Sequence, residues 1–170
     1  MFQNKRRGTS LAVAFLDLDG FKEVNDNYGH NTGDKLLLAI ARRMKNALRL
    51  GDTLARIGGD EFVAVMTEMS NAQEYESLLQ RLLSAVSHPV QIDNITIQVS
   101  ASIGVTPYPQ DGVNADQLLR HSDQAMYMAK QAGKNCYHVF DVAKDVAVKI
   151  QQREIESIKK ALKNNEFVLY

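Results

Sequence analysis

The stretch LAVAFLDLDG at residues 11–20 decides the fold. Its unbroken apolar run, residues 11–16, predicts a central strand buried on both faces, because a half-exposed strand would alternate apolar and polar residues. Asp17, Asp19 and Gly20 end this strand, and residues 21–28 have the pattern of a short helix. The stretch therefore predicts a strand that leads through an acidic turn into a helix.

Outward from this unit, strands and helices follow without strict alternation. Apolar residues at helical spacing predict a helix that begins at the cap Thr32 and ends at Gly51-Asp52, then helices over about 75–86 and 118–129. Apolar and β-branched runs predict strands at 53–57, 61–66, 95–105 and 136–140. Gly58-Gly59 predicts a hairpin between two of them. The order predicts an α+β fold with a mixed, mainly antiparallel central sheet flanked by helices.

Composition limits the class of protein. The chain has 170 residues, 20 basic and 20 acidic, so its formal net charge is zero, which argues against a nucleic-acid binder that works through bulk charge. Cys136 is the only cysteine, which rules out a disulfide within the chain. The polar start and the lack of an apolar run of about 20 residues predict no signal peptide and no membrane contact by this segment. We therefore expect a cytoplasmic location, although a longer parent protein could be membrane-anchored.

Two acidic motifs are candidates for chemistry. Asp17-Leu18-Asp19 places carboxylates and a carbonyl at a strand end, where oxygen ligands suit a hard cation such as Mg²⁺. Residues 58–62, GGDEF, combine two glycines with two carboxylates. Taken singly, the first motif is also typical of a solvated strand end and the second of a plain hairpin.

The two motifs together indicate more than either alone. If the hairpin lies beside the first strand, Asp17 and Asp60 converge at one end of the sheet and form a site for Mg²⁺ and a nucleotide. Lys22 is near in sequence, and Lys130 and Lys134 are four residues apart near a helix end, so both can face one ligand. The alternative for these two lysines is a favourable interaction with the helix dipole.

Several separated segments, in order, resemble one family. They are Asp17 to Asp26 (DLDGFKEVND), Gly29-His30, Gly33-Asp34, residues 58–62 (GGDEF), Ser102 to Val105 (SIGV), Asp123 to Lys130 (DQAMYMAK) and Gly133 to Asn135 (GKN). This pattern is similar to that of the GGDEF family of diguanylate cyclases over about residues 11–140. Members of that family condense two GTP into cyclic di-GMP with release of two pyrophosphates, on a fold that resembles the adenylyl-cyclase and polymerase-palm core.

The resemblance implies a set of catalytic and metal-binding residues. Asp17, Asp60 and the backbone carbonyl of Leu18 would bind two Mg²⁺ ions, with Mn²⁺ as an alternative. Asp60 would also act as the base toward the ribose 3′-hydroxyl, which requires hydrogen-bond reach. Glu61 would be a supporting metal-binding or catalytic group.

The resemblance also implies how GTP is bound. Asn25 and Asp34 would read guanine, because an adenine would leave the Asp34 acceptor unpaired. His30 would lie near the ribose or support Asn25, or would be structural. The other substrate-binding residues would be Gly20, Phe21, Lys22, Gly58, Gly59, Lys130 and Lys134. Lys134 departs from the family pattern, in which arginine is more usual, and it lacks the bidentate fork of arginine.

The family also suggests partners and a second site. Arg49-Leu50-Gly51-Asp52 matches the RxxD inhibitory motif, so Arg49, Asp52 and Arg81 would bind the cyclic product; the alternative is a surface arginine followed by a helix-ending aspartate. Because each chain would hold one GTP, the product requires a transient antiparallel homodimer.

The domain prediction has two parts. Residues 1–142 would be the GGDEF domain, without the helix and the Asp-x-Leu-Thr-Gly-Leu-x-Asn-Arg motif that usually precede the first strand. Residues 143–170 would be a linker helix and the opening of an EAL phosphodiesterase domain, so the parent would be a tandem protein. Two rival functions stay open: a GTP- or cyclic di-GMP-binding regulatory module for the adjacent EAL domain, and an inert dimerisation domain.

Overall fold

The computed structural model describes residues 10–109 and 114–141. In chain order, their helices and strands are β1 (Ser10–Asp19), α1 (Phe21–Tyr28), α2 (His30–Ala47), β2 (Thr53–Gly58), β3 (Glu61–Met69), α3 (Ala72–Ser87), β4 (Val90–Ile92), β5 (Ile95–Ile97), β6 (Ser100–Tyr108), α4 (Ala115–Gln131) and β7 (Tyr137–Val139). The predicted boundary at 142 and the predicted tail helix from 143 lie outside the described residues.

The main sheet has five strands in the order β2-β3-β1-β6-β7. β1 is central and antiparallel to both β3 and β6, β2 is antiparallel to β3, and β7 is parallel to β6. This confirms the predicted α+β class with a mixed, mainly antiparallel sheet. The apolar run of β1 is explained by its place at the centre of the sheet, where helices cover both of its faces: Ala12, Ala14 and Leu16 belong to one apolar cluster, and Leu11 and Val13 pack with Leu118 of α4 in another.

Two layers of helices cover the sheet. On one face, α2 and α3 bury the apolar stripes that include Leu36, Ile40, Leu79 and Leu82 against sheet residues such as Phe62. On the other face, α4 packs directly on β6 at Gly104. A Cβ at Gly104 would lie 1.9 Å from the backbone oxygen of Ser122, so only glycine allows this approach. This close packing fixes the end of α4 over the central strands.

Two predicted helix boundaries are wrong. Helix α2 begins at His30, with Gly29 at φ 80° as its N-cap residue, so Thr32 lies inside the first turn and does not cap it. The helix ends at Ala47 rather than at Gly51-Asp52. The reason is that Leu48 takes an extended conformation, with φ −86° and ψ 159°, which turns the chain toward β2.

The predicted single strand over 95–105 is also wrong. It is divided into β5, which pairs with β4 in a separate two-stranded hairpin, and β6, which belongs to the main sheet. Asp93, with φ 52°, forms the turn between β4 and β5. A β-branched run hides this division because both parts have strand propensity. Among the described helices, none is long and apolar enough to cross a membrane.

Candidate active site

A cavity of about 210 Å³ lies at the end of β1. It is formed where the end of β1, the start of α1, the β2–β3 turn and the end of α4 meet. Its lining consists of Asp17, Leu18, Asp19, Gly20, Phe21, Lys22, Glu23, Asp60, Lys130 and Lys134. Most of the residues expected to bind metal and phosphate therefore line one cavity. Its volume is below the roughly 300–1,000 Å³ of pockets that enclose a whole small ligand, so it can hold only part of a nucleotide.

Strand pairing brings the two acidic motifs together. In the antiparallel ladder, Asp17 lies opposite Glu61, and directly opposed residues point to the same face of a sheet. The backbone N–H of Leu18 donates to the carbonyl of Asp60 at 3.3 Å. The turn before β3 is tight, with Gly59 at φ 52°, and Arg56 Nε donates to the Gly59 carbonyl at 2.8 Å. These contacts hold the β2–β3 turn beside the end of β1.

Opposite charges lie close together in the cavity. The Asp17 carboxylate is 13% exposed, and its Oδ2 lies 2.9 Å from Lys130 Nζ. Burial raises the pKa of Asp17 above its usual value, the ion pair with Lys130 opposes that shift, and the neighbouring Asp60 and Asp19 carboxylates add to it. The anionic form of Asp17 therefore depends on a nearby cation for its stability.

The oxygen donors in this cavity fit a magnesium ion that arrives with a nucleotide. Within residues 10–109 and 114–141, no group of three or more His, Cys, Asp or Glu side chains is arranged as a ready metal centre. Asp17, Asp60 and the Leu18 carbonyl are hard oxygen donors. Mg²⁺ typically takes one or two protein carboxylates and completes its octahedron with waters and substrate phosphates. A partial donor set of this kind fits that pattern better than a closed protein cage would.

Nitrogen donors surround the same cavity. Helix α1 starts at Phe21 after the N-cap residue Gly20, which has φ 83°. No side chain caps the first-turn backbone amides, which are suited to phosphate oxygens. Lys134 lies beyond the end of α4 in a left-handed conformation, with φ 64°. Lys130 lies in the last turn of α4 and Lys134 in the loop after it, and both line the cavity near this helix end, as the sequence predicts.

A second cavity, of about 450 Å³, lies beside Asp34. Its lining is mainly apolar and consists of Asp34, Leu37, Leu38, Ala41, Leu54, Arg56 and Phe62. Asn25 lies against Gly33, where a Cβ would be 2.0 Å from the Asn25 oxygen, and that buried oxygen accepts no hydrogen bond from the described residues. Asp34 is exposed at the mouth of an apolar cavity. His30 is exposed at the start of α2 and lines neither cavity.

Gly58 faces open space. A Cβ at Gly58 would meet no heavy atom within 4 Å, and its φ lies outside the left-handed region. The fold itself therefore does not require glycine at this position. An open backbone next to Asp60 is what a ligand that packs on the turn would need.

The RxxD residues do not form one pocket. Asp52 is buried, and its two carboxylate oxygens accept the backbone N–H groups of Arg49 at 2.9 Å and Thr67 at 3.0 Å. The Arg49 side chain lies 3.4 Å from Glu74. Arg81 lines a separate groove between α2 and α3, whose lining does not include Arg49 or Asp52. Asp52 therefore holds its own turn against β3.

One residue in the cavity has contacts that sequence reasoning missed. Asp19, predicted only as a possible cation ligand, accepts hydrogen bonds from the hydroxyls of Ser100 at 2.7 Å and Ser102 at 2.8 Å. It also accepts the backbone N–H of Asn135 at 3.3 Å. The only signal in the sequence was the alternate spacing of the two serines, which places both on one face of β6.

Comparison with solved structures identifies the fold. The GGDEF domain of TpbB (YfiN) from Pseudomonas aeruginosa superposes with a TM-score of 0.83 at 30% identity, covering 87% of each chain. An EAL/GGDEF domain protein from M. capsulatus superposes with a TM-score of 0.75 at 42% identity, covering 80% of this chain and 88% of that one. The fold is therefore that of a GGDEF domain.

Sequence comparison then gives the family. Residues 1–136 match the family described as "Diguanylate cyclase, GGDEF domain", and the chain belongs to this family. It is 40% identical over 160 residues to the bifunctional diguanylate cyclase/cyclic di-GMP phosphodiesterase MucR of P. aeruginosa, covering 94% of this chain and 23% of MucR. It is 36% identical over 164 residues to the cyclic di-GMP phosphodiesterase NbdA of the same species, covering 96% of this chain and 21% of NbdA. The chain thus spans under a quarter of the length of these relatives.

Proposed function

We propose that this domain is a diguanylate cyclase that condenses two GTP into cyclic di-GMP and releases two pyrophosphates. The observation that carries the proposal is the cavity at the end of β1, where Asp17 and Asp60 face the three lysines Lys22, Lys130 and Lys134. Paired carboxylates with convergent cations suit a metal-bound triphosphate, because the metal offsets the acids and the lysines offset the phosphates.

The residues divide the work of the reaction. Asp17, Asp60 and the Leu18 carbonyl would hold two Mg²⁺, or Mn²⁺, which when bound lower the pKa of the 3′-hydroxyl and neutralise charge at the α-phosphate. Asp60 accepts the proton of the 3′-hydroxyl, assisted by Glu61. The 3′-oxygen then bonds to the α-phosphorus as the bond to pyrophosphate breaks. The three lysines and the first amides of α1, at Gly20 and Phe21, hold the leaving phosphates.

The guanine is placed by the region around Asp34 in this proposal. The cavity beside Asp34 offers apolar walls for the base and a carboxylate for its N1–H and amino group. Asn25 provides a second amide, His30 lies toward the ribose, and the open backbone of Gly58 and Gly59 admits the nucleotide. One chain holds one GTP, so two copies pair transiently and antiparallel to make the product.

We also propose product inhibition through the turn after α2. Arg49 and Arg81 would bind phosphates of cyclic di-GMP, since guanidinium groups form strong charge-assisted bonds to them. Because both oxygens of Asp52 accept backbone N–H groups, Asp52 shapes the turn that presents Arg49. Residues 143–170 would link this domain to an EAL domain in a longer, cytoplasmic segment of the parent protein.

A second candidate function is a regulatory module that binds GTP or cyclic di-GMP and controls an adjacent EAL phosphodiesterase. The observation that favours it is the 36% identity to NbdA, which is named as a phosphodiesterase and is similar over nearly the whole of this chain. The two functions differ in whether the bound nucleotide is converted.

The test is to incubate the full chain with GTP and Mg²⁺ at high protein concentration and to measure cyclic di-GMP by chromatography. We expect product from the unchanged chain and none from Asp60→Ala. Asp93→Asn is the control, because Asp93 is an exposed acid that pairs with Lys35 away from the cavity, and asparagine tolerates its left-handed φ of 52°. Binding of GTP without product would favour the regulatory module. Absence of GTP binding would contradict the cyclase, and absence of binding of both GTP and cyclic di-GMP would contradict both functions.

A further inference from the structure

We propose that Asp19 is a positioning residue: it holds the loop Gly133–Asn135 so that Lys134 faces the phosphate end of the cavity, and it is not a metal ligand. This inference rests on the proposed function, which identifies the phosphate at Lys134 as that of GTP. It concerns an acid that the Asp17-Leu18-Asp19 motif places two residues from the proposed metal ligand Asp17.

The hydrogen bonds of Asp19 leave little room for a metal. Its Oδ1 accepts the Ser102 hydroxyl at 2.8 Å, and its Oδ2 accepts both the Ser100 hydroxyl at 2.7 Å and the Asn135 N–H at 3.3 Å. Ser102 is fully buried, so its bond to Asp19 is shielded from water. Of the roughly four lone-pair sites of a carboxylate, these bonds use three, so a metal could reach Asp19 only through the one that is left on Oδ1.

The loop after α4 needs an external anchor. Its three residues, Gly133, Lys134 and Asn135, have φ values of 116°, 64° and 49°. Left-handed conformations are uncommon for lysine and persist only where the surroundings hold them. At one end, Lys134 N–H donates to the Ala129 carbonyl at 3.2 Å. At the other, Asp19 accepts the N–H of Asn135, which ties the loop to β1.

The anchor links Lys134 to the same strand that carries Asp17. Lys134 is exposed, is adjacent in sequence to the anchored Asn135, and lines the cavity. Asp19 is thereby in the position to set where the Lys134 ammonium meets a phosphate. Lys130, which is held by helix α4 and by its own ion pair with Asp17, does not depend on this anchor.

The direct test is amide hydrogen exchange of the full chain, measured by mass spectrometry on peptides that cover residues 132–137. In Asp19→Asn, one acceptor oxygen becomes an NH₂ donor and the other loses the carboxylate charge, so the acceptor for the Asn135 N–H is weaker and we expect exchange there to rise about tenfold. Ser100→Ala, which removes one hydroxyl and keeps the carboxylate, should give a smaller rise in the same peptides. Unchanged exchange in Asp19→Asn would overturn the proposal, and so would a rise spread over the whole chain.

The second test is a double-mutant cycle for binding of a GTP analogue with a methylene group in place of the α–β bridging oxygen, titrated with Mg²⁺ by calorimetry. We expect Asp19→Asn to weaken binding of the analogue about three- to tenfold when Lys134 is present. In a chain that already carries Lys134→Met, Asp19→Asn should cause no further loss of affinity. The half-saturating Mg²⁺ concentration should stay as it is. Independent effects of the two substitutions, or a Mg²⁺ requirement that rises in Asp19→Asn, would overturn the proposal.

These two tests separate the inference from the proposed function. If the unchanged chain fails to bind the analogue, the proposed function fails, and hydrogen exchange alone decides whether Asp19 anchors the loop. If the analogue binds and the loop exchanges normally in Asp19→Asn, the proposed function stands and the inference fails.

Discussion

The end of β1 and the turn over residues 49–52 both match family motifs that contain aspartate, but the aspartates have different roles in the structure. At the end of β1, Asp17 and Asp60 face a cavity, and the pKa of Asp17 is raised by burial and by its acidic neighbours. In the turn, the Asp52 carboxylate is buried and both its oxygens accept backbone N–H groups. The first region has charge to offer a ligand, and the second uses its charge to hold the fold.

This contrast gives a physical criterion for deciding whether a residue that matches a family motif also has the function of that motif. A carboxylate whose oxygens are satisfied by the backbone stabilises the protein, and its removal leaves donors unpaired. A carboxylate whose charge is opposed by desolvation and by like charges costs stability and is typical of a functional site. The same residue type in two motifs is thus expected to respond in opposite ways to substitution.

The largest effect is expected at the cavity. We predict that Asp17→Asn lowers cyclic di-GMP formation by about 10²–10³-fold, because it removes a carboxylate that holds the metal. The folded-state pKa of Asp17 is raised, so its contribution to stability is lost as the pH rises through that pKa. At neutral pH the substitution should therefore leave the melting temperature unchanged or higher, as measured by calorimetry.

Asp93→Asn is the control for Asp17→Asn, since it changes an exposed acid in the β4–β5 turn. It should alter neither the product yield nor the melting temperature appreciably. A large loss of melting temperature in Asp17→Asn would show that Asp17 is structural, and the contrast between the two regions would then disappear.

The opposite response is expected in the turn. We predict that Asp52→Ala lowers the free energy of unfolding by about 2–3 kcal/mol, because the N–H groups of Arg49 and Thr67 lose a charged acceptor. This corresponds to a fall in melting temperature of about 4–12 °C. Asp52→Asn keeps one oxygen and should lose less. Equal melting temperatures for Asp52→Ala and the unchanged chain would contradict the structural role.

Much of the fold follows from local patterns in the sequence. The apolar run of β1, the stripes of α2, α3 and α4, and the Gly58-Gly59 turn each reflect burial or backbone geometry within a few residues. The cavity could be predicted only on the condition that the hairpin lies beside β1, because Asp17 ends β1, Asp60 lies in the β2–β3 turn, and the hairpin does not specify the pairing of β3 with β1. The three lysines Lys22, Lys130 and Lys134 line the cavity, but their spacing near a helix end did not show that Lys134 lies in a left-handed loop after α4.

What could not be predicted depends on contacts distant in sequence. Asp52 accepts a hydrogen bond from the N–H of Thr67, which lies 15 residues away on β3. No local sequence pattern distinguishes such a structural aspartate from an aspartate that binds a ligand. Asp19 accepts a hydrogen bond from the N–H of Asn135, which lies 116 residues away. The division of 95–105 into two strands was missed because propensity does not say which partner strand a segment joins. The uses of polar side chains are therefore less predictable than the elements that carry them.

Two glycines allow the same contrast, between a position that serves a ligand and one that serves the fold, to be tested by adding a single methyl group. Gly58 has open space where a Cβ would be, whereas a Cβ at Gly33 would lie 2.0 Å from the Asn25 oxygen. We predict that Gly58→Ala leaves the melting temperature unchanged and weakens GTP binding about tenfold, because the new methyl group occupies the approach to the turn. Gly33→Ala should instead lower the melting temperature. Gly58→Ala with normal GTP affinity would show that the nucleotide does not pack on this turn.

The smallest effect concerns Arg49, whose side chain is exposed in the turn. Its guanidinium is 3.4 Å from Glu74, whose pKa is lowered first by a hydrogen bond from the Ser70 N–H and also by Arg49. Cyclic di-GMP at Arg49 would have to displace this exposed carboxylate. Glu74→Gln keeps an oxygen for Ser70 but removes the competing charge, so we predict about two- to fivefold tighter binding of cyclic di-GMP by calorimetry.

Glu76→Gln is the matched control for Glu74→Gln, since Glu76 belongs to the same helix but lies two residues further on, where a helix presents a different face. It should leave the affinity for cyclic di-GMP unchanged. If both substitutions tighten binding equally, the effect is one of net charge alone. If neither does, cyclic di-GMP does not bind at Arg49, and the turn over residues 49–52 would be a structural element throughout, with the cavity at the end of β1 as the ligand site of the pair.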